Sequence, residues 1–63
     1  MPHIQITLVA GRTVEQKRKI ARRMTEVLVE EAGAKRENCS VAFVDVKKED
    51  FAEGGVLVID QQR

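Results

Sequence analysis

Hydrophobic and polar residues alternate strictly near the start of the chain. Over residues 3–9 three apolar side chains share one face and three polar side chains share the other, namely Ile4, Ile6 and Leu8 against His3, Gln5 and Thr7. A period of two is typical of a half-buried β-strand. Pro2 is compatible with this strand because the first strand position needs no backbone N–H.

The pattern then changes to the period of a helix. Apolar residues recur three or four positions apart over residues 14–32, at Ile20, Ala21, Met24, Val27, Leu28 and Ala32. Thr13 and Gln16 have the spacing of a capping box, in which each side chain accepts a hydrogen bond from the other residue's backbone. Gly33 suits the left-handed position after a helix. We therefore predict a helix from 14 to 32, about 28 Å long at about 1.5 Å per residue.

A second strand is predicted at residues 39–46, after a polar link at 34–38. Its alternate positions are Val41, Phe43 and Asp45 on one face and Ala42, Val44 and Val46 on the other. Because both faces carry apolar groups, we expect both to be covered. Strand, helix and strand at this spacing form a βαβ unit with parallel strands and a right-handed crossover.

The last part of the chain is short and polar. Residues 47–53 are predicted to be a charged loop containing Phe51, and Gly54-Gly55 indicates a turn. Val56 to Ile59 predict a small strand before a polar tail at 60–63. The expected fold class is α/β (α+β), with a single short βαβ unit and a small C-terminal strand or hairpin. It forms one domain over residues 1–63.

Size and composition restrict the possible functions. A chain of 63 residues is marginally stable alone, and one cysteine excludes an internal disulfide. One Cys and one His cannot supply the usual four ligands of a metal site. Oligomerisation is then the remaining stabiliser, and the free edges of a two-stranded sheet invite pairing with another copy.

Charge and aromatic content disfavour nucleic acid and membrane as partners. Eleven basic residues against ten acidic ones give a net charge of +1, with two Phe and no Tyr or Trp. Nucleic-acid binders usually have a basic excess and stacking aromatics. The chain has no apolar run of membrane-spanning length and no signal-peptide pattern. Cys39 fits a reducing compartment, so we expect a cytoplasmic protein.

The charges of the predicted helix oppose its dipole, which favours acidic residues first and basic residues last. The basic half contains Lys17, Arg18, Lys19, Arg22 and Arg23, and the acidic half contains Glu26, Glu30 and Glu31. Pairs Glu15–Lys19 and Arg22–Glu26 would offset a few tenths of a kcal/mol each. One hypothesis is that an antiparallel helix from a twofold-related copy brings opposite halves together. The alternative is a solvated charged face.

Pro2 is the candidate for chemistry. If Met1 is trimmed, Pro2 becomes the first residue and carries a free secondary amine. A free α-amino group titrates near about 7.7–8.0 in model peptides, and apolar surroundings or a nearby cation lower that pKa. A base close to the working pH suits proton transfer. Many chains begin Met-Pro without catalytic purpose, which is the alternative interpretation.

The chain resembles the 4-oxalocrotonate tautomerase family over essentially its whole length. The resemblance lies in the Met-Pro start, the βαβ order and four local matches, which are Gly11-Arg12-Thr13, Glu15-Gln16-Lys17, Phe51 and Gly54-Gly55. It implies loss of Met1 and use of the Pro2 nitrogen as general base or acid in keto–enol tautomerisation of 2-hydroxydienoates and related enols. It also implies no cofactor or metal, and a homo-hexamer built as a trimer of dimers with shared active sites.

Two further residues take their expected roles from the resemblance. Arg12 matches the arginine that grips a substrate carboxylate, a task that suits its planar guanidinium. Phe51 matches an aromatic residue that makes the site apolar. Without the resemblance, Arg12 would be interpreted as a solvated loop residue and Phe51 as packing between subunits.

Two positions depart from the family pattern. Ser40 stands where the tautomerases carry a second arginine, and it supplies a hydrogen bond but no positive charge. Lys47, Lys48 or Arg36 could replace that charge in the assembly. The loss leaves activity on a dicarboxylate substrate in question.

The second departure is Ala52-Glu53. The related 3-chloroacrylate dehalogenases use a glutamate at this place to activate water, but Val9 occupies the position of an additional arginine that they need. A solvated loop charge is the alternative for Glu53. Three functions therefore stand beside the tautomerase: a hydratase or hydrolytic dehalogenase, a non-catalytic oligomeric module, and a small nucleic-acid-binding oligomer.

Overall fold

The computed structural model describes residues 1–61 and confirms the βαβ unit. Strand β1 (His3–Val9) is followed by helix α1 (Val14–Ala32) and strand β2 (Ser40–Val46), and a hairpin of β3 (Ala52–Glu53) and β4 (Val56–Leu57) follows. Within residues 1–61, 3₁₀ turns lie at Arg36–Asn38, Lys48–Asp50 and Val58–Asp60. Of the predicted polar tail, residues 62–63 lie outside the described residues.

The sheet is parallel and in register from end to end. His3 lies opposite Ser40, and Val9 lies opposite Val46. The burial of β1 alternates as its sequence predicts, with Ile4 and Ile6 more buried than their polar neighbours. The β3–β4 hairpin is antiparallel and forms a separate sheet.

Both predicted helix ends are confirmed. The Gln16 backbone N–H donates to the Thr13 hydroxyl over 3.1 Å, and the Thr13 N–H donates to the Gln16 side-chain oxygen over 2.9 Å. Gly33 ends α1 with a φ of 65°, a left-handed conformation that glycine adopts without steric cost. Local sequence thus sets where the crossover helix begins and ends.

Some predicted boundaries were wrong. Strand β2 begins at Ser40 because the Cys39 N–H donates to the Arg36 carbonyl and closes a 3₁₀ turn. The last strand ends at Leu57 because Val58–Asp60 form a 3₁₀ turn. The Gln61 N–H donates to the Val58 carbonyl and closes this turn. Glu53, predicted to lie in a loop, pairs with Val56 in the hairpin.

The predicted helix ion pairs were also wrong. Glu15 pairs with Arg18 and Glu26 with Arg36, both at 2.9 Å. The first pair is one helical turn apart, and the second ties the acidic half of α1 to the turn before β2. Lys17 pairs with Asp45 of β2, which places α1 over the sheet face that contains Asp45.

The single chain lacks a closed core. No residue in 1–61 is fully buried, and the chain exposes 5002 Å² where about 4,100 Å² is usual for its mass. Its radius of gyration is 14.7 Å, against about 11 Å for a compact chain of this length. On the face of β2 away from α1, Val44 is 39% exposed. The expected covering of both faces therefore requires another molecule.

No helix within residues 1–61 has both the length and the apolar character that a membrane span needs.

Candidate active site

Pro2 lies at the amino end of the sheet and is tied to β2. The Ser40 N–H donates to the Pro2 carbonyl over 3.1 Å. Pro2 is half-buried, whereas Met1 before it is 94% exposed. The backbone of Pro2 is thus held in place although the residue that precedes it is free in solvent.

His3 and Ser40 form a side-chain pair directly beside Pro2. The His3 Nδ1 atom lies 2.7 Å from the Ser40 hydroxyl oxygen, and the two residues are 37 positions apart. Both are exposed, on the sheet face away from α1. In the sequence, His3 contributes to the strand pattern, and its pairing with Ser40 was not predicted. The predicted strands, 3–9 and 39–46, differ in length, so aligning their starts brings His3 opposite Cys39 and aligning their ends brings it opposite Ser40.

Arg12 lies at the other end of the sheet. The Ala10 N–H donates to the Val46 carbonyl over 2.9 Å and closes that end. Ala10 and Gly11 then turn the chain into α1 with φ angles of 59° and 60°, and the left-handed alanine costs about 1–2 kcal/mol. Strand β1 is about 20 Å long at about 3.3 Å per residue. Pro2 and Arg12 of one chain are therefore separated by the length of the sheet.

Arg12 borders a shallow depression of about 390 Å³ along the start of α1. Its other lining residues are Gln16, Lys19, Ile20 and Arg23. The side chains of Arg12, Lys19 and Arg23 have no hydrogen-bond or ion-pair partner within residues 1–61, unlike Lys17 and Arg18. Three uncompensated cations in one depression favour the binding of an anion. Lys19 and Arg23 were not among the predicted site residues.

Phe51 and Glu53 are carried by the segment that follows β2. That segment starts beside Ala10, because the Ala10 N–H is hydrogen-bonded to the carbonyl of Val46 at the end of β2. Phe51 is 37% exposed, and its carbonyl accepts the Val58 N–H over 2.8 Å. Both residues thus belong to an arm that leaves the sheet at the Arg12 end rather than the Pro2 end.

Three residues were predicted to replace the positive charge that is missing at position 40, and they lie at different parts of the fold. Arg36 is close to Ser40 in sequence, but its guanidinium pairs with Glu26 at 2.9 Å. Lys47 and Lys48 follow the far end of β2. Within one chain, the polar side chain that contacts Ser40 is therefore His3.

No group of three or more His, Cys, Asp or Glu side chains that could hold a metal ion is present in the described part of the chain. The side chains available at the sheet's amino end, beside Pro2, are an imidazole and a hydroxyl, and a guanidinium is available at the other end.

Comparisons with known proteins agree with the resemblance found in the sequence. Residues 2–61 match the model of a family described as Tautomerase enzyme. The 2-hydroxymuconate tautomerase of Bacillus subtilis (strain 168) is 32% identical over 62 residues, which cover 98% of this chain and 100% of the relative.

Solved structures share the fold. A 4-oxalocrotonate tautomerase isozyme from Methylibium petroleiphilum is 43% identical with a TM-score of 0.87, covering 92% of this chain and 94% of the other. A trans-3-chloroacrylic acid dehalogenase is 33% identical with a TM-score of 0.77, covering 86% and 88%. The predicted fold and family are thereby confirmed. The chain belongs to the tautomerase enzyme family and is a tautomerase-like isomerase.

Proposed function

We propose that the protein tautomerises a small 2-hydroxydienoate or related enol acid without a cofactor, with Pro2 as general base and acid. The observation that carries this proposal is the position of Pro2, which is held by the Ser40 N–H and follows an exposed Met1. Removal of Met1 converts the Pro2 amide into a secondary amine at a defined place. General acid–base catalysis depends on such positioning.

The proton balance of the reaction closes without any further reactant. The Pro2 nitrogen takes the proton from the enol hydroxyl, and the O–H electron pair becomes the carbonyl π bond. The displaced C=C electrons take the same proton back from the prolinium onto carbon. An apolar wall lowers the pKa of such an amine towards neutrality, and Phe51, directly before the hairpin, is the residue proposed to provide it.

Arg12 is proposed to bind the substrate carboxylate. Its guanidinium matches a carboxylate with two parallel hydrogen bonds, and it is unpaired within residues 1–61. The neighbouring Lys19 and Arg23 raise the local positive potential. An acidic substrate is therefore favoured over a neutral one.

The site is proposed to form between copies of the chain. Pro2 and Arg12 of one molecule stand about 20 Å apart, so they meet only if a second molecule supplies one of them. A homo-oligomer, as a hexamer of three dimers, would also cover Val44 and the other exposed apolar groups. Glu30 and Glu31 of one helix would then lie near the basic half of another. We further propose that this assembly works in the cytoplasm.

An ultraviolet assay of enol ketonisation tests the proposal. Dienols with one and with two carboxylates are mixed with the wild-type protein and with Pro2→Ala. We expect wild-type turnover on at least one acid and a loss of about 10²–10⁴-fold in kcat for Pro2→Ala. Equal turnover by the two proteins would contradict the role of Pro2.

Addition of water to an unsaturated acid is the second candidate function. It is favoured by the structural likeness to a trans-3-chloroacrylic acid dehalogenase and by the presence of Glu53 in the hairpin. Under this alternative, Glu53→Gln abolishes hydration of a 3-haloacrylate or acetylenic acid but leaves ketonisation unchanged. The experiment is halide release or product mass, measured on both proteins.

A further inference from the structure

We propose that His3, oriented by Ser40, donates a hydrogen bond to the substrate oxygen that gains negative charge when Pro2 moves the proton. This inference rests on the proposed function and adds a second catalytic residue to it. It concerns a side chain that takes no part in the roles given above to Pro2, Arg12 and Phe51.

The geometry joins three residues into one unit. His3 follows Pro2 directly, and its Nδ1 atom lies 2.7 Å from the Ser40 hydroxyl oxygen. The Ser40 backbone N–H is bonded in turn to the Pro2 carbonyl over 3.1 Å. Because position 3 and position 40 are cross-strand partners, the imidazole is held at the same sheet edge as the Pro2 nitrogen.

The outer ring nitrogen of His3 is a donor when the Ser40 hydroxyl donates to Nδ1 and also when the imidazole is protonated. A hydroxyl both donates and accepts. When it donates to Nδ1 of a neutral imidazole, the ring proton resides on Nε2. When the imidazole is protonated, Nδ1–H donates to the hydroxyl and Nε2 keeps its proton. The exposed side chain of His3 can therefore present an Nε2–H to a ligand.

The reaction needs such a donor at this edge. As the Pro2 nitrogen removes the enol proton, negative charge develops on the substrate oxygen. A preorganised hydrogen-bond donor at a developing oxyanion is worth about 10²–10³-fold in kcat. Arg36, a cation close by in sequence, is paired with Glu26, and the Arg12 that a second copy brings to this edge is assigned to the substrate carboxylate. The imidazole is the group that the fold holds in place beside Pro2.

Binding of a substrate-like acid tests the contact directly. The chain contains one histidine, so its ring signals in a proton NMR spectrum are unambiguous. The probes are 2-oxoadipate, which carries an oxygen at C2, and adipate, which has the same length and charge but lacks that oxygen. We expect 2-oxoadipate to shift the His3 signals and adipate to leave them nearly unchanged. Equal shifts, or none at saturating 2-oxoadipate, would overturn the proposal.

Turnover gives the second test. His3→Phe, which keeps a ring but has no N–H donor, should lower kcat about 10²–10³-fold with a smaller change in KM, and Ser40→Ala should lower it less because the imidazole remains. Gln5→Ala, on the same exposed face of β1, is the matched control and should retain wild-type kcat. Light scattering checks that each variant keeps the wild-type assembly.

Rescue separates a chemical role from a structural one. In the His3→Phe background, Ser40→Arg places a cationic donor at the cross-strand position and should recover most of the lost kcat. A His3→Phe variant that behaves like Gln5→Ala, or a loss that Ser40→Arg does not recover, would refute the proposal. If the wild type ketonises nothing, the proposed function fails, and the NMR comparison still decides whether His3 contacts the C2 oxygen.

Discussion

The two ends of the parallel sheet are built differently. At the amino end, Pro2, His3 and Ser40 are uncharged or weakly basic groups joined by hydrogen bonds of 2.7 and 3.1 Å. At the other end, Arg12 shares a depression with Lys19 and Arg23, and these cations are unpaired within residues 1–61. One end fixes geometry, and the other supplies positive charge.

The difference matches what each proposed task requires. Proton transfer needs reacting atoms held within hydrogen-bond distance, and cross-strand bonds provide that precision. Attraction of an anion acts over several ångströms, so flexible cationic side chains are sufficient. In a βαβ unit both strands start at one edge and the helix starts at the other, and the two tasks are therefore separated by about 20 Å in one molecule.

Blocking the Pro2 nitrogen should have the largest effect. A chain extended by a short peptide before Pro2 keeps an amide in place of the amine. We expect kcat to fall about 10²–10⁴-fold, while binding of 2-oxoadipate, measured by calorimetry, changes little because Arg12 is intact. Wild-type kcat in a chain whose intact mass shows the retained extension would contradict the assignment.

Removing the positive charge of Arg12, at the opposite end of the sheet from Pro2, should raise KM. For Arg12→Gln we expect an increase of about 10–100-fold, since a hydrogen bond to a charged group contributes about 1.5–3 kcal/mol. Arg18→Gln is the control, because Arg18 is exposed and pairs with Glu15 in its own helix. Similar KM values for the two variants would separate Arg12 from substrate binding.

Mixing chains that carry either the Pro2 or the Arg12 substitution tests whether one active site takes these two residues from different molecules. Pro2→Ala and Arg12→Gln chains are unfolded together and refolded as mixed assemblies. If each site takes its ends from two copies, about a quarter of the sites become intact and activity returns. Activity that stays at the level of the separate variants would place both residues of a site in one chain.

Reversing the acidic half of α1 should weaken assembly moderately. Glu30→Lys combined with Glu31→Lys would set like charges against the basic half of a neighbouring helix. We expect smaller species in light scattering at low salt and partial recovery at high salt, where charges are screened. Glu37→Lys with Glu49→Lys makes the same charge change outside the helix. Equal behaviour of the two double variants would favour a solvated charged face.

Removing the helix cap should have the smallest effect. Thr13→Ala deletes the hydroxyl that accepts the Gln16 N–H, and about 1 kcal/mol of unfolding free energy should be lost. Thr25→Ala, in the interior of the same helix, is the control because the Thr25 hydroxyl donates to the Ala21 carbonyl and caps no free backbone N–H. Urea unfolding at equal protein concentration measures both. Equal midpoints would show that the cap adds no stability.

Much of the fold was predictable because its signals are local. The alternation at 3–9, the capping box of Thr13 and Gln16, and the left-handed Gly33 each depend on a few neighbouring residues. Ion pairs such as Glu26 with Arg36 were not predictable, since they depend on where the turn before β2 places a long side chain. The short hairpin strands depend in the same way on pairing between residues 52–57.

The sequence by itself determined the βαβ order, the helix ends and the candidates Pro2 and Arg12, because period, caps and motif are properties of neighbouring residues. The tertiary structure decided that His3 meets Ser40 and that Pro2 and Arg12 lie at opposite ends. Strand register is a relation between positions 37 residues apart, and it is settled by pairing and packing of the whole unit rather than by any local pattern.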